Sequence, residues 1–278
     1  MLGYAWALLF TGVVIVIATP EAWRAPVKAL WLALPLMLLA AKDLASIPDV
    51  ATRLRDLRPQ GAGWGHWLVA CLPPGLIGLA RLERATWRGF FCWLRKKKKP
   101  ARPPGVAFTF HEQGAYSTAI AFGLWSVLVE LPLNAAILPL MIDDSSLVRN
   151  LHLLFAAGSV YTLVWLLGDR WLVRGGYHVL GATHLDLQVG ARASACIPLD
   201  AIEDAQSLRQ PVLQWRRTHP FRDIEAVNIT PFDKPNLVLR LRDGAPCTIT
   251  HHGLERTGVR CVFLYLDRPQ QLLRALEA

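Results

Sequence analysis

Residues 115–142 read AYSTAIAFGLWSVLVELPLNAAILPLMI, and the only formal charge among them is Glu130. At ~1.5 Å per helical residue this stretch is longer than the ~30 Å hydrocarbon layer of a bilayer, so it predicts a spanning helix interrupted by Pro132 and Pro139. Asp143, Asp144, Ser145 and Ser146 supply the next turn, and a further span over 151–168 closes at Asp169, Arg170 and Trp171. Toward the N-terminus, residues 2–19 carry no charge and predict a first span. No basic segment precedes it and no A-x-A site follows, so a retained helix is preferred over a cleaved signal. Pro20, Glu21 and Trp23 turn into a second span over 25–41, with Lys28 able to snorkel, Pro35 as a kink, and Lys42 and Asp43 at its end. The fold class is therefore membrane α-helical, with about four transmembrane helices, followed by a β-rich tail.

Composition agrees with this division. Of the 278 residues, 53% are hydrophobic and 18% charged, with a mean hydropathy of +0.29, against roughly 45–50% and 25% in soluble domains. The apolar excess lies before residue 168, whereas residues 169–278 hold 14 Lys/Arg and 12 Asp/Glu. The net charge of +9 comes almost entirely from the segment 42–114, with 13 Lys/Arg against five Asp/Glu. Inside it, 67–80 (WLVACLPPGLIGLA) is too short and too rich in Pro73, Pro74 and Gly75 to span, and predicts an interfacial or re-entrant segment. Arg81, Arg84, Arg88, Arg95, Lys96, Lys97, Lys98 and Lys99 follow, mixed with Trp87, Phe90, Phe91 and Trp93. Such a helix suits an anionic leaflet, and its place between apolar segments points to lipid head groups or a topology signal, not nucleic acid. The positive-inside rule then places both termini, the 42–114 segment and the tail in the cytoplasm.

The tail alternates as strands over 177–180, 184–189, 193–199, 226–230, 236–241, 247–251 and 259–266, with turns at Gly190, Asp243-Gly244, Gly253 and Gly258. The stretch 200–222 is open to helix, strand or loop. Asp267 as N-cap and Pro269 introduce a terminal helix over 268–277, with Leu272, Leu273 and Leu276 on its apolar face. Four parts result: a transmembrane hairpin (1–41), a basic cytoplasmic loop (42–114), a second hairpin (115–168) and a β-rich domain (169–278).

With LVELPLN at 128–134, YTLVWLLGD at 161–169, and IPLDAIEDA, NLVLRLRD and LYLDRPQQLLRAL in the tail, the chain resembles a family of bacterial multi-pass inner-membrane proteins with a C-terminal pleckstrin-homology-like domain. The resemblance covers roughly residues 110–278. It implies a strongly bent sheet plugged by the terminal helix, and it carries no activity. It also implies a His a few residues after Glu130, where this chain has Asn134.

Catalytic signatures are missing from the sequence: there is no H-E-x-x-H, G-x-S-x-G, P-loop or G-x-G-x-x-G. The five cysteines show no C-x-x-C spacing, and those of the tail, Cys196, Cys247 and Cys261, are read as small buried thiols. His251 and His252, adjacent in a strand, are expected on opposite faces, unable to chelate one ion. His66, His111 and His152 flank apolar segments as interfacial residues. Arg209, Arg216, Arg217 and Arg222 are read as a solvated loop. No cofactor or metal is implied.

Ser126, Glu130 and Asn134 recur every fourth residue and form one polar stripe. A hairpin turning near Ser146 would set Thr162 at the depth of Glu130 and Ser159 near Asn134, with Glu130 facing inward. The expected function is a noncatalytic membrane-anchored module whose tail engages a protein or anionic lipid. A transporter subunit or intramembrane enzyme using Glu130 is the alternative.

Overall fold

A computed structural model describes residues 74–219, 221–222 and 224–277, the backbone of Asp223, and isolated positions at Leu72 and between 19 and 37. The expected spans over 2–19 and 25–41, His66 and Cys71 lie outside the fully described residues. The chain divides into two compact units, 1–77 and 78–278, and the elements below belong to the second, apart from the first turn of α1.

Helix α1 spans Pro74–Leu94. Pro74 stands at its first position, where a missing N–H costs nothing, so this proline starts a helix instead of breaking one. The helix ends in a Schellman closure: the Lys96 N–H donates to the Trp93 carbonyl, the Lys97 N–H to that of Cys92, and Lys96 takes φ 50°.

Two helices follow that are long and apolar enough to cross a membrane: α2, Ala115–Met141, and α3, Ser145–Gly175. Only 11% and 17% of their most apolar windows is buried within the protein. A soluble core helix would hide that surface. Asp144 caps α3, its Oδ1 accepting from the N–H groups of Ser146 and Leu147 at 2.8 and 3.2 Å. Helix α3 continues past residue 168 to Gly175 and then enters the β region after one residue. The base of the hairpin therefore meets the β region, and the Asp143–Asp144 turn lies at its far end.

Helices α1 and α3 cross where neither has a side chain in the way. A Cβ on Gly168 would stand 2.2 Å from the Thr86 carbonyl oxygen, and one on Gly89 would stand 2.7 Å from the Gly168 carbonyl oxygen. Gly168→Ala is accordingly expected to cost about 1–3 kcal/mol through overpacking, read as a lower melting temperature in detergent. Gly158→Ala, on the same helix with nothing within 4 Å, is expected not to lower it, and equal melting of the two variants would refute the close crossing.

Ten strands are described: β1 Val106–Phe108, β2 Tyr177–Leu180, β3 His184–Val189, β4 Ala193–Pro198, β5 Ile202–Ser207, β6 Ala226–Ile229, β7 Leu237–Leu241, β8 Thr248–His251, β9 Leu254–Arg256 and β10 Cys261–Leu264. They form a six-stranded sheet, β1-β2-β3-β4-β8-β9, and a four-stranded sheet, β5-β7-β10-β6. Every pair is antiparallel except β6 with β10. Leu185, Leu187, Ile197 and Ile249 of the first sheet share one core with Leu237, Leu239, Leu241 and Leu264 of the second. Helix α5, Pro269–Glu277, closes it with Leu272 fully buried and Leu273 and Leu276 half-buried.

Several expectations change. Strand β1 comes from the basic segment before the hairpin and pairs with β2. Residues 200–222 hold a strand, β5, and a short helix, α4, Val212–Thr218. Arg216 and Arg217 therefore lie on a helix, and the Arg216 guanidinium donates to the Phe221 carbonyl at 3.0 Å. Trp215 is what orders this stretch: it is buried, stacked on His219 at 4.2 Å and edge-on to Phe263 at 5.5 Å. Of the tail thiols only Cys261 is fully buried, and Cys196 is exposed on the outer face of β4. Finally, His252 leaves the strand with φ 50°, which brings its ring to 4.1 Å from that of His251 instead of onto the opposite face.

Candidate functional site

At 100° per residue, Arg81, Arg84, Arg88 and Arg95 fall within about 60° of one another around α1. One flank of the helix, marked by Gly78, Thr86 and Gly89, is packed against the rest of the protein. The other flank exposes Trp87, Phe91 and Leu94. Between them the four arginines and Lys97 line a groove of about 980 Å³ whose opposite wall is Trp171, Leu172 and Gln188. No carboxylate is among the described residues that line it. The one acidic residue of α1, Glu83, is turned toward α3, where its Oε1 accepts from Tyr161 Oη at 2.7 Å and Trp165 Nε1 at 3.1 Å. Arg81 is held in place by donating to the Gly253 carbonyl at 2.6 Å.

The eight cations expected to act together are thus sorted by the fold. Arg81, Arg84, Arg88, Arg95 and Lys97 share the groove, whereas Lys96 and Lys98 do not line it. Lys99 belongs to a second cavity of about 460 Å³ with Arg102, Arg170 and Arg174. There its ammonium donates to the Arg174 carbonyl at 3.0 Å. Partial burial, with Arg174 and Arg102 close by, pushes its pKa below the usual lysine value.

A buried polar network fastens the hairpin to the β region. Asp169, 1% exposed, accepts on Oδ2 from Arg192 Nη2 at 2.8 Å and from Tyr116 Oη at 2.9 Å. Arg192 also donates to the Pro231 carbonyl and lies 5.8–5.9 Å from the rings of Phe232, Tyr116 and Trp165. Two further carboxylates hold the start of α2. Asp233 accepts from the Ala115 N–H, and Asp267 accepts from the N–H groups of Glu112 and Gln113 at 3.1 and 3.0 Å. Asp267 therefore binds the approach to α2, in addition to standing just before α5. The sequence reading took Asp169 only as the polar end of a span and did not single out Arg192. The signal available was an acidic residue closing an apolar helix and a lone Arg within a tight turn between two strands.

The polar stripe of α2 is placed differently from expectation. Glu130 is exposed on α2 and makes no hydrogen bond among the described residues, and the hairpin of α2 and α3 does not by itself enclose it. The turn at Asp143–Asp144 comes earlier than Ser146, which shifts the pairing of the helices: His152 Nε2 lies 3.3 Å from the Asn134 carbonyl. One turn deeper, Glu130 stands level with about Ala156, not Thr162. Thr162 instead donates to the Gly158 carbonyl of its own helix at 2.9 Å. Ser159 is buried without a hydrogen-bond partner, and Ser126 and Asn134 are half-buried.

Among the described residues no three His, Cys, Asp or Glu side chains converge as metal ligands. Comparison with protein-family models, with curated proteins and with solved structures returns no match. The chemistry assembled here is that of anion attraction and of a stiff joint between helices and sheet.

Proposed function

We propose that this chain is a noncatalytic, membrane-anchored binding module whose β-rich tail, a pleckstrin-homology-like domain, engages a protein or anionic lipid at the cytoplasmic face of a bacterial inner membrane. The observation that carries the reading is the joint itself. Asp169–Arg192, Asp233 and Asp267 tie both base ends of an apolar hairpin to the β region, so the tail is presented at a fixed attitude. The two packed sheets closed by α5 support the pleckstrin-homology-like assignment, and the parallel β6–β10 pair departs from a simple bent meander. The excess of Lys and Arg on the β-region side of the hairpin supports a cytoplasmic tail and a four-span topology. Among the described residues Glu130 has no hydrogen-bond or ion-pair partner, so they supply no geometry in support of the transporter or enzyme alternative.

Alkaline phosphatase fused after Ser146 is expected to be active, and after Ala278 inactive. Activity at Ala278 would overturn the topology. A photo-crosslinking residue in place of Leu213, 78% exposed on α4, is expected to give a discrete protein or lipid adduct in intact cells, and the absence of adducts from every exposed position of the tail would count against a binding module.

A further inference from the structure

Resting on the membrane reading above, we propose that the groove between α1 and the last turns of α3 is a binding site for the phosphate of an anionic glycerophospholipid in the adjoining leaflet. Three observations converge on it. Arg81, Arg84, Arg88, Arg95 and Lys97 face one space of about 980 Å³ with no carboxylate among the described residues of its lining. Like charges gathered at such spacing repel, and an anion removes the repulsion. Arg84, Arg88, Arg95 and Lys97 have no side-chain hydrogen bond or ion pair among the described residues, so their donors are uncommitted.

The depth of the groove favours a lipid over a soluble anion. Its far wall is Trp171 and Leu172, where the apolar run of α3 gives way to Asp169 and Arg170. That transition marks the level at which an interfacial Trp sits. Immediately beside the arginines, α1 exposes Trp87, Phe91 and Leu94. Phe91 itself lines the groove. A phosphodiester can therefore sit against the guanidinium groups while its acyl chains follow this apolar flank. Arginine forks match two phosphate oxygens at once. Lys96 and Lys98, equal in charge and adjacent in sequence, do not line the groove, which separates a built site from general basicity.

The test uses the full-length chain in bilayers of phosphatidylcholine containing about 5 mol% spin-labelled phosphatidylglycerol or spin-labelled phosphatidylcholine, with the immobilised fraction giving relative affinity. The wild type is expected to prefer phosphatidylglycerol. Arg84→Gln with Arg88→Gln is expected to reduce that preference by roughly tenfold, and Arg95→Gln by itself by roughly threefold, as phosphate contacts are lost. Lys96→Gln with Lys98→Gln, which removes the same charge outside the groove, is expected to change it by less than about twofold. Equal losses from the two double variants would overturn the site in favour of diffuse electrostatics. Displacement of the labelled lipid by inorganic phosphate, but not by chloride at equal ionic strength, would overturn the lipid occupant in favour of a soluble phosphate. Failure of the wild type to insert into either bilayer would instead remove the membrane reading on which the proposal rests.

Discussion

Arg192→Ala is expected to destabilise the protein by about 3–5 kcal/mol, because it strands a carboxylate that has no access to water. Asp169 is 1% exposed, its Oδ1 has no partner, and its Oδ2 depends on Arg192 at 2.8 Å and Tyr116 at 2.9 Å. Removing the guanidinium also frees the Pro231 carbonyl and the cation-π contacts to Tyr116, Trp165 and Phe232. Thermal denaturation in detergent should show the loss directly. The companion double variant, Asp169→Leu with Arg192→Met, is expected to be more stable than Arg192→Ala alone, since a buried ion pair replaced by apolar groups of similar volume is often neutral. Arg192→Ala melting like the wild type would mean that water reaches Asp169 and that the joint is not closed.

Lowering the pH from 7.5 to 4.5 is expected to remove about 2.5 kcal/mol of stability through His178 alone. Its imidazole is fully buried in β2 and stacked on Phe110 at 4.3 Å. Nδ1 lies 2.8 Å from the Tyr177 carbonyl, which makes it the donor, and leaves Nε2 without a partner. Protonation would put a second N–H where nothing accepts it, and burial lowers the native pKa to about 4. The unfolded chain takes up its proton near pH 6.5. The native state is therefore fully favoured above that value, and its advantage is lost as pH falls from about 6.5 toward 4. His251, also held near 4 chiefly by burial and then by His252 and Arg256, acts in the same direction. His178→Phe keeps the stack on Phe110 and has nothing to protonate. The difference in denaturation midpoint between pH 7.5 and 4.5 should shrink in this variant, and an unchanged difference would place the sensitivity elsewhere.

Much of the second unit was readable along the chain. The apolar run 115–142 contains α2, and strict alternation over 184–189 is β3, whose inward residues Leu185, Leu187 and Val189 are buried. Gly190, Gly244, Gly253 and Gly258 were read as turns, and all four take positive φ, between 55° and 73°. These features are local: a repeat of 3.6 or 2 residues and a missing Cβ act within a few positions of the chain.

What remained hidden depends on partners far away in sequence. Val106–Phe108 is too short to announce a strand and becomes β1 only because β2 offers an edge. Residues 261–264 read as a strand, but nothing local says that it pairs parallel with 226–229. The basic residues from 81 to 99 were legible as a group. Their division into five that share a groove, one in a second cavity and two outside both follows from the Gly89–Gly168 crossing and the Schellman turn at Lys96. Glu130 shows the same limit from the other side. Its charge and spacing were plain, but what stands opposite it was decided by where Asp144 caps α3, since advancing the turn by about three residues shifts every opposing position by about six. Sequence by itself determined the two long apolar helices of the second unit, seven of the ten described strands and the sign of the charge. Tertiary structure decided which charges meet, because Asp169 and Arg192 come from two elements whose adjacency is set by packing and not by any local period.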